Sequence, residues 1–275
     1  MLWAFATLNI PAPRLFEAVA VEAVAQIRNF KPQDLANMAW AFAMLNIPAP
    51  RLFEVVVAEA VAQIRNFKPQ DLANVAWAFA MMGIPSPRLF EAILRMVPAV
   101  FNQFEPVNLR QLHQVFLFLT LEAPQLELAP LLSDFRVEIR AAFVADEPSP
   151  SRSQRDVAAA LLRVGWTHEF EHVTTDGLSL DMAQSDSKLA VEFDGPSHYL
   201  GDARSGLYSL NGPFLFKQRL LRKLGWKVLH VPYFEWYKLQ SAKARDEYLT
   251  RQVADLQDGR SGCVEESILF FTEPP

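Results

Sequence analysis

Apolar positions in the first half of the chain fall on a helical period. From Pro32 the residues Leu35, Ala39, Phe42 and Leu45 recur at spacings of three and four, and from Pro50 so do Leu52, Phe53, Val56, Ala60, Val61 and Ile64. The spacing predicts a pair of amphipathic helices. Each opens on a proline, whose missing N–H is no loss at the first helical position. The pair then repeats: FKPQDLANMAWAFAMLNIPAPRLFE from Phe30 returns as FKPQDLANVAWAFAMMGIPSPRLFE from Phe67, a period of 37 residues. Trp3 and Phe5 share that register with Trp40 and Phe42, so the chain opens inside a repeat and further repeats are expected before it. A degenerate copy, FEPVNLRQLHQVFLFLTLEAP from Phe104, has Gln114 in place of the tryptophan, as a capping repeat should. One such hairpin cannot bury its apolar faces alone, so the copies are expected to stack as an α-solenoid. Trp40 and Trp77 are then expected in the core between repeats, rather than as stacking platforms for bases.

The period changes after ADEPSPSRSQ, the Pro- and Ser-rich stretch ending at Gln154. A helix is expected over about 153–164, then three strand-like runs, THEFEHV, LSLDMA and KLAVEFDG, a helix over about 213–224 and the strand WKVLHVPY. The expected fold is therefore multidomain: a solenoid over 1–146, a linker over 147–153, a small α/β domain of order αβββαβ over 154–252 and a tail over 253–275. Strand alternation separates Leu178, Leu180 and Met182 from Asp181, and Leu189, Val191 and Phe193 from Glu192 and Asp194. If the two runs form a hairpin, three carboxylates converge, and the usual relief for such crowding is a divalent cation. His198, past the Gly195-Pro196 turn, is a candidate general base, or else a partner for a carboxylate. Asp194 could equally cap the turn, and the acids could form an ordinary solvated strand face. Trp236 is expected to be a packing anchor.

Composition narrows the partners. The 275 residues are 51% hydrophobic, enough for sizeable cores, and a net charge of -5 excludes a globally basic nucleic-acid binder. Local patches remain. Lys217, Arg219, Arg222, Lys223 and Lys227 place five cations within eleven residues without one acid, a candidate phosphate-binding surface if not simply a solvated helix face. In the repeats, Gln33, Asp34 and Asn37, with Gln70, Asp71 and Asn74, stand near the first-helix starts, as candidate base contacts or as caps. The single cysteine, Cys263, excludes an internal disulfide and a cysteine-built zinc site. No apolar run is long enough for a membrane span, and no targeting segment is legible at the N-terminus.

The 37-residue unit with LANxAWAFA resembles the octotricopeptide and heptatricopeptide helical repeats, which bind RNA. GLSLDMAQSDSKLAVEFDGPSHY followed by NGPFLFKQRLLRKLGWKVLHVPYFEWYKL resembles the RAP domain, named for RNA-binding proteins abundant in apicomplexans and present in organelle regulators. That domain is in turn similar to the restriction-endonuclease-like core. The resemblance implies single-stranded RNA as partner, a mitochondrial or chloroplast location, and a role in RNA stability, processing or translation. No cofactor is needed for such binding. The nuclease likeness makes Asp181 and Glu192 candidate metal ligands, with Asp194, His198 and Lys217 accessory to a magnesium-dependent endoribonuclease. The usual nuclease lysine, two positions after the second acid, is Asp194 here, and Lys217 is the candidate replacement. A third possibility is a solenoid serving as a protein-interaction scaffold.

Overall fold

The computed structural model describes residues 1–145, 149–201 and 209–260. Cys263, most of the tail from 261 onward and linker residues 147 and 148 lie outside the described residues. Contacts group the described chain into two units, a helical one (1–145 with 200–201 and 209–216) and an α/β one (149–199 and 217–260).

In the helical unit, α1 (Leu2–Thr7), α3 (Pro32–Met44), α5 (Pro69–Met81) and α7 (Pro106–Leu121) are the first helices of successive hairpins. The second helices are α2 (Pro13–Gln26), α4 (Pro50–Gln63) and α6 (Pro87–Val100). First helices pack on first helices and second on second, which gives the two-layered stack expected of a solenoid. The core between hairpins is aromatic. Phe16 meets Phe42 edge to face with centroids 4.9 Å apart, and Phe53 meets Phe79 in the same way at 5.0 Å. Trp77 is buried, as expected, and donates its indole N–H to Gln114 Oε1 at 3.1 Å. Asn74 is likewise tied to Gln111, whose Nε2 lies 2.9 Å from Asn74 Oδ1. The polar residues of the last copy thus answer polar groups of the copy before it. Trp40 is half-buried and stacks on Trp3 at 6.4 Å.

The end of each first helix is set by one position. Asn9, Asn46 and Gly83, spaced by the repeat, all adopt left-handed backbone, with φ of 51°, 49° and 66°. These are the residue types that tolerate it, and the next residue closes the helix: Ile47 N–H bonds Phe42 C=O and Ile84 N–H bonds Phe79 C=O, both at 2.9 Å. The equivalent position in the last copy is Thr120, a β-branched residue that resists positive φ. α7 accordingly runs on to Leu121. Its partner is no longer a full second helix but two 3-10 segments and α8 (Arg136–Val144). Phe90 packs on Phe118, two residues beyond the repeat register.

The α/β unit follows the expected order. α9 (Arg152–Arg163) is capped by Ser151, whose Oγ accepts the Gln154 N–H at 3.1 Å. β1 (Glu169–Val173), β2 (Ser179–Gln184) and β3 (Leu189–Asp194) form an antiparallel meander, and β6 (Lys227–Pro232) pairs parallel with β3. Two short strands, β4 (Tyr199–Leu200) and β5 (Ser209–Leu210), pair with each other. A parallel pair needs a crossover, and α10 (Gly212–Lys223) supplies it. Met182, Leu189, Val191, Phe193, Leu229 and Val231 give one sheet face to a core with Val157 and Leu161 of α9, Trp236 of α11 (Tyr233–Trp236) and Leu249 of α12 (Ala242–Gln257). Trp236 is the anchor expected of it: fully buried, with the Arg245 guanidinium 4.9 Å from its ring centroid. No helix among the described residues is long and apolar enough to cross a membrane.

The internal copies predict which changes the solenoid accepts. Gly83→Asn should be near neutral, because Asn9 and Asn46 already serve at that position. Gly83→Val should destabilise by about 1–2 kcal/mol, the penalty for a side chain that disfavours left-handed backbone. Urea denaturation of both variants checks it.

Candidate functional site

The polar face of the sheet carries the site. Phe170 pairs with Met182 and His172 with Leu180, so Glu171 stands opposite Asp181. The β2–β3 ladder ends at Met182–Val191, which leaves Asp181 and Glu192 one step beyond it. There the carboxylates take over the backbone donors: Glu192 Oε1 accepts the Asp181 N–H at 3.3 Å, and Asp181 Oδ2 accepts the Phe193 N–H at 2.9 Å. On the other side of Glu192, in parallel register, stands His230. Glu171, Asp181, Glu192 and His230 therefore form one row across all four strands.

α10 brings Lys217 onto this row. Its Nζ lies 2.6 Å from Glu192 Oε2, and its side chain is 29% exposed. Burial alone would push the ammonium pKa down, but the charge and hydrogen bond of Glu192 outweigh it, with help from Asp181 and Asp194, and hold it above the usual lysine range. Asp181 is the strained member. Burial and then the charge of Glu192 push its carboxyl up to about 6, against the Phe193 N–H, Lys217 and a hydrogen bond from the Gln154 side chain of α9. Glu171 is also raised, by burial first and Glu192 second.

Asp194 belongs to a different cluster from the one expected. It shares a strand face with Glu192, but its carboxylate is held by histidines: His230 Nδ1 lies 2.9 Å from Oδ2, and His198 Nδ1 lies 3.5 Å from Oδ1. Burial would raise its pKa, yet the charge of His230 and the hydrogen bonds of both rings bring it down to about 2. Asp194 in turn keeps the buried His230 above the usual histidine range, against burial. Tyr199 adds its hydroxyl at 3.5 Å from Asp194 Oδ2. The third carboxylate beside Asp181 and Glu192 is thus Glu171, not Asp194. The alternation of THEFEHV could not single out Glu171 from Glu169, because only strand pairing says which residue faces Asp181. Glu171 has left-handed backbone, φ 54°, and its Oε1 is shielded from solvent without a hydrogen-bond partner among the described residues.

A divalent cation does not fit this arrangement as it stands. Both Glu192 oxygens are engaged, one by a backbone N–H and one by Lys217. Among the described residues no group of three or more His, Cys, Asp or Glu side chains is gathered to hold a metal. The oxygen donors are of the type magnesium prefers, but a lysine ammonium already sits against one of them.

The basic run of α10 divides. Lys217 serves the acid row and Arg219 is half-buried, whereas Arg222, Lys223 and Lys227 are exposed and in no ion pair among the described residues. Lys188, not singled out by its sequence, joins them by donating from Nζ to the last-turn carbonyl of Leu224 at 2.7 Å. In the repeats, Gln33 and Gln70 are exposed, Asn37 is half-buried and Asn74 is buried against Gln111. Asp34 and Asp71 act as caps: each accepts the N–H of the residue three before it, Lys31 at 3.1 Å and Lys68 at 3.2 Å.

Removing one member of the Lys217–Glu192 pair should cost about 3 kcal/mol, because the partner's charge is left on a largely buried face. Lys217→Met and Glu192→Gln should each show this in denaturant melts, and the double variant should recover most of it. Asp181 makes stability depend on pH. With its folded pKa near 6, above the ordinary value of 3.8, the native state binds the extra proton. Stability should therefore fall as pH rises from about 4 to about 6, by at most about 3 kcal/mol. Asp181→Asn should flatten this window in urea titrations at stepped pH. Asp194 acts in the opposite sense, its contribution being lost only as pH falls toward 2.

Parts of both units are similar to known proteins. Residues 191–252, which hold Glu192, Asp194, Lys217 and His230, match the family model described as RAP domain. Residues 10–127 match the model described as Tbc2 translation factor, N-terminal domain. A RAP domain-containing protein, chloroplastic, from Oryza sativa subsp. japonica is 34% identical over 103 residues, 37% of this chain. The alignment spans only 15% of that protein's length. Behind its helical repeats, the chain carries a RAP domain.

Proposed function

We propose that this chain is an RNA-binding regulator acting in the chloroplast, in which the helical repeats select a transcript and the RAP domain binds its phosphate backbone. The observation that carries this reading is the union, in one chain, of a RAP domain with helical repeats similar to the N-terminal domain of a translation factor. The chloroplastic rice relative favours the chloroplast over the mitochondrion. Among RNA stability, processing and translation, the match to a translation factor favours translation. Supporting chemistry is local, since the net charge is negative: exposed Arg222, Lys223 and Lys227 offer phosphate contacts on the α/β unit.

A second reading, a metal-dependent endoribonuclease, is favoured by one observation. Lys217 stands at Glu192 beside Asp181, which are the residue types of a phosphodiester-cleaving site, delivered from a helix rather than from the strand. It requires magnesium to displace the lysine from Glu192.

Filter binding of single-stranded RNA across a salt series tests the first reading: log affinity should fall linearly with log salt, and a flat or absent signal would sink it. The same RNA incubated with and without magnesium should remain intact. Magnesium-dependent cleavage that is lost in Asp181→Ala would establish the second reading in its place.

A further inference from the structure

The helical unit has a groove between its second and third hairpins. The starts of α4 and α6 and the end of α5 enclose about 570 Å³ there. Its floor is the buried Phe53–Phe79 pair, and half-buried Val57, Met82 and Ile84 form its walls. Glu54 and Ser86 alone among the lining residues have polar side chains, so a small polar ligand would find few partners and an apolar occupant is favoured. Arg51 and Arg88 follow directly on the lining residues Pro50 and Pro87. Both are exposed, and neither is in an ion pair among the described residues. Two cations against Glu54 leave one positive charge in excess beside the groove.

The same chain carries a segment of matching character. Residues 261–275, outside the described residues, include Ile268, Leu269, Phe270 and Phe271 in succession. Glu265 and Glu266 precede this run, Glu273 follows it, and the segment holds no lysine or arginine. Four consecutive large apolar residues are costly to leave in water and invite aggregation, so such a run calls for a cover. The run suits the groove, and the acids suit the arginines beside it. The segment's 15 residues extend to about 50 Å, against a radius of gyration of about 13 Å for a unit of about a hundred residues, so it can leave the unit it follows.

We propose that Ile268, Leu269, Phe270 and Phe271 dock in the groove over Phe53 and Phe79, with Glu265, Glu266 and Glu273 set against Arg51 and Arg88. The groove is then an intramolecular docking site whose ligand is this chain. Tethering favours that ligand over a free partner. A short flexible linker gives an effective concentration on the order of mM, so an intrinsic Kd of about 100 µM leaves the segment docked about nine-tenths of the time. The site needs no RNA and stands or falls apart from the function proposed above.

Cys263, the single cysteine of the chain, lies two residues before Glu265, so a nitroxide attached there reports the motion of the segment in the full chain. In dilute solution its paramagnetic resonance spectrum should be dominated by slow motion, with the label tumbling as part of the protein. Leu269→Asp with Phe270→Asp should release the segment and speed the label about tenfold, toward the nanosecond motion of a free terminus. Val57→Glu with Ile84→Glu, in the groove walls, should do the same with the helical circular-dichroism signal retained. Arg51→Glu with Arg88→Glu should weaken docking, as should Glu265→Arg with Glu266→Arg, and the four together should restore it. Fast motion in the natural chain overturns the proposal. So does a slow component that survives the groove variants, which puts the segment elsewhere, or one that grows with protein concentration, which assigns the groove to the segment of a second copy.

Discussion

Glu171, Asp181 and Glu192 fall in one register row on a half-buried sheet face, where like charges repel and a cation brought to the row relieves them. Like charges about 4 Å apart repel by about 4 kcal/mol at the effective dielectric of a protein surface. Lys217 supplies the cation at Glu192, while burial first and the charge of Glu192 second push the Asp181 carboxyl up to about 6. The solution is built into the topology. A parallel β3–β6 pair requires a crossover helix, and that helix is the element that carries the lysine across the polar face. Two positions after Glu192 on the same strand face stands Asp194, which pairs with His230 on β6 and with His198. Lys217 and His230 thus supply positive charge to neighbouring carboxylates on one face, and each also feels the other's partner.

The helical unit applies one hairpin several times, and its copies act as controls on one another. Where Asn or Gly occupies the position after the first helix, that helix ends in a left-handed turn; where Thr120 stands, it continues. Where Gln111 and Gln114 replace the residues of earlier copies, they bond Asn74 and Trp77 of the repeat before. A terminal copy can thus become polar and still satisfy the groups its neighbour presents.

Period and punctuation by themselves determined the helical hairpins, the 37-residue stack, the αβββαβ order and the separation of Asp181 and Glu192 from the apolar strand positions, because these depend on spacing along the chain. The buried roles of Trp77 and Trp236 were legible for the same reason. The identity of the third acid was not. Glu171 faces Asp181 only through the β1–β2 register, and two glutamates of one short strand look alike until that pairing is known. Nor could spacing show that Asn74 is turned into the next repeat, or that Lys217, 25 residues from Glu192, reaches it. Those facts rest on which elements touch and in what register. Only the packed sheet and its crossover helix decided them, since bringing distant side chains to within 3 Å is the work of tertiary structure.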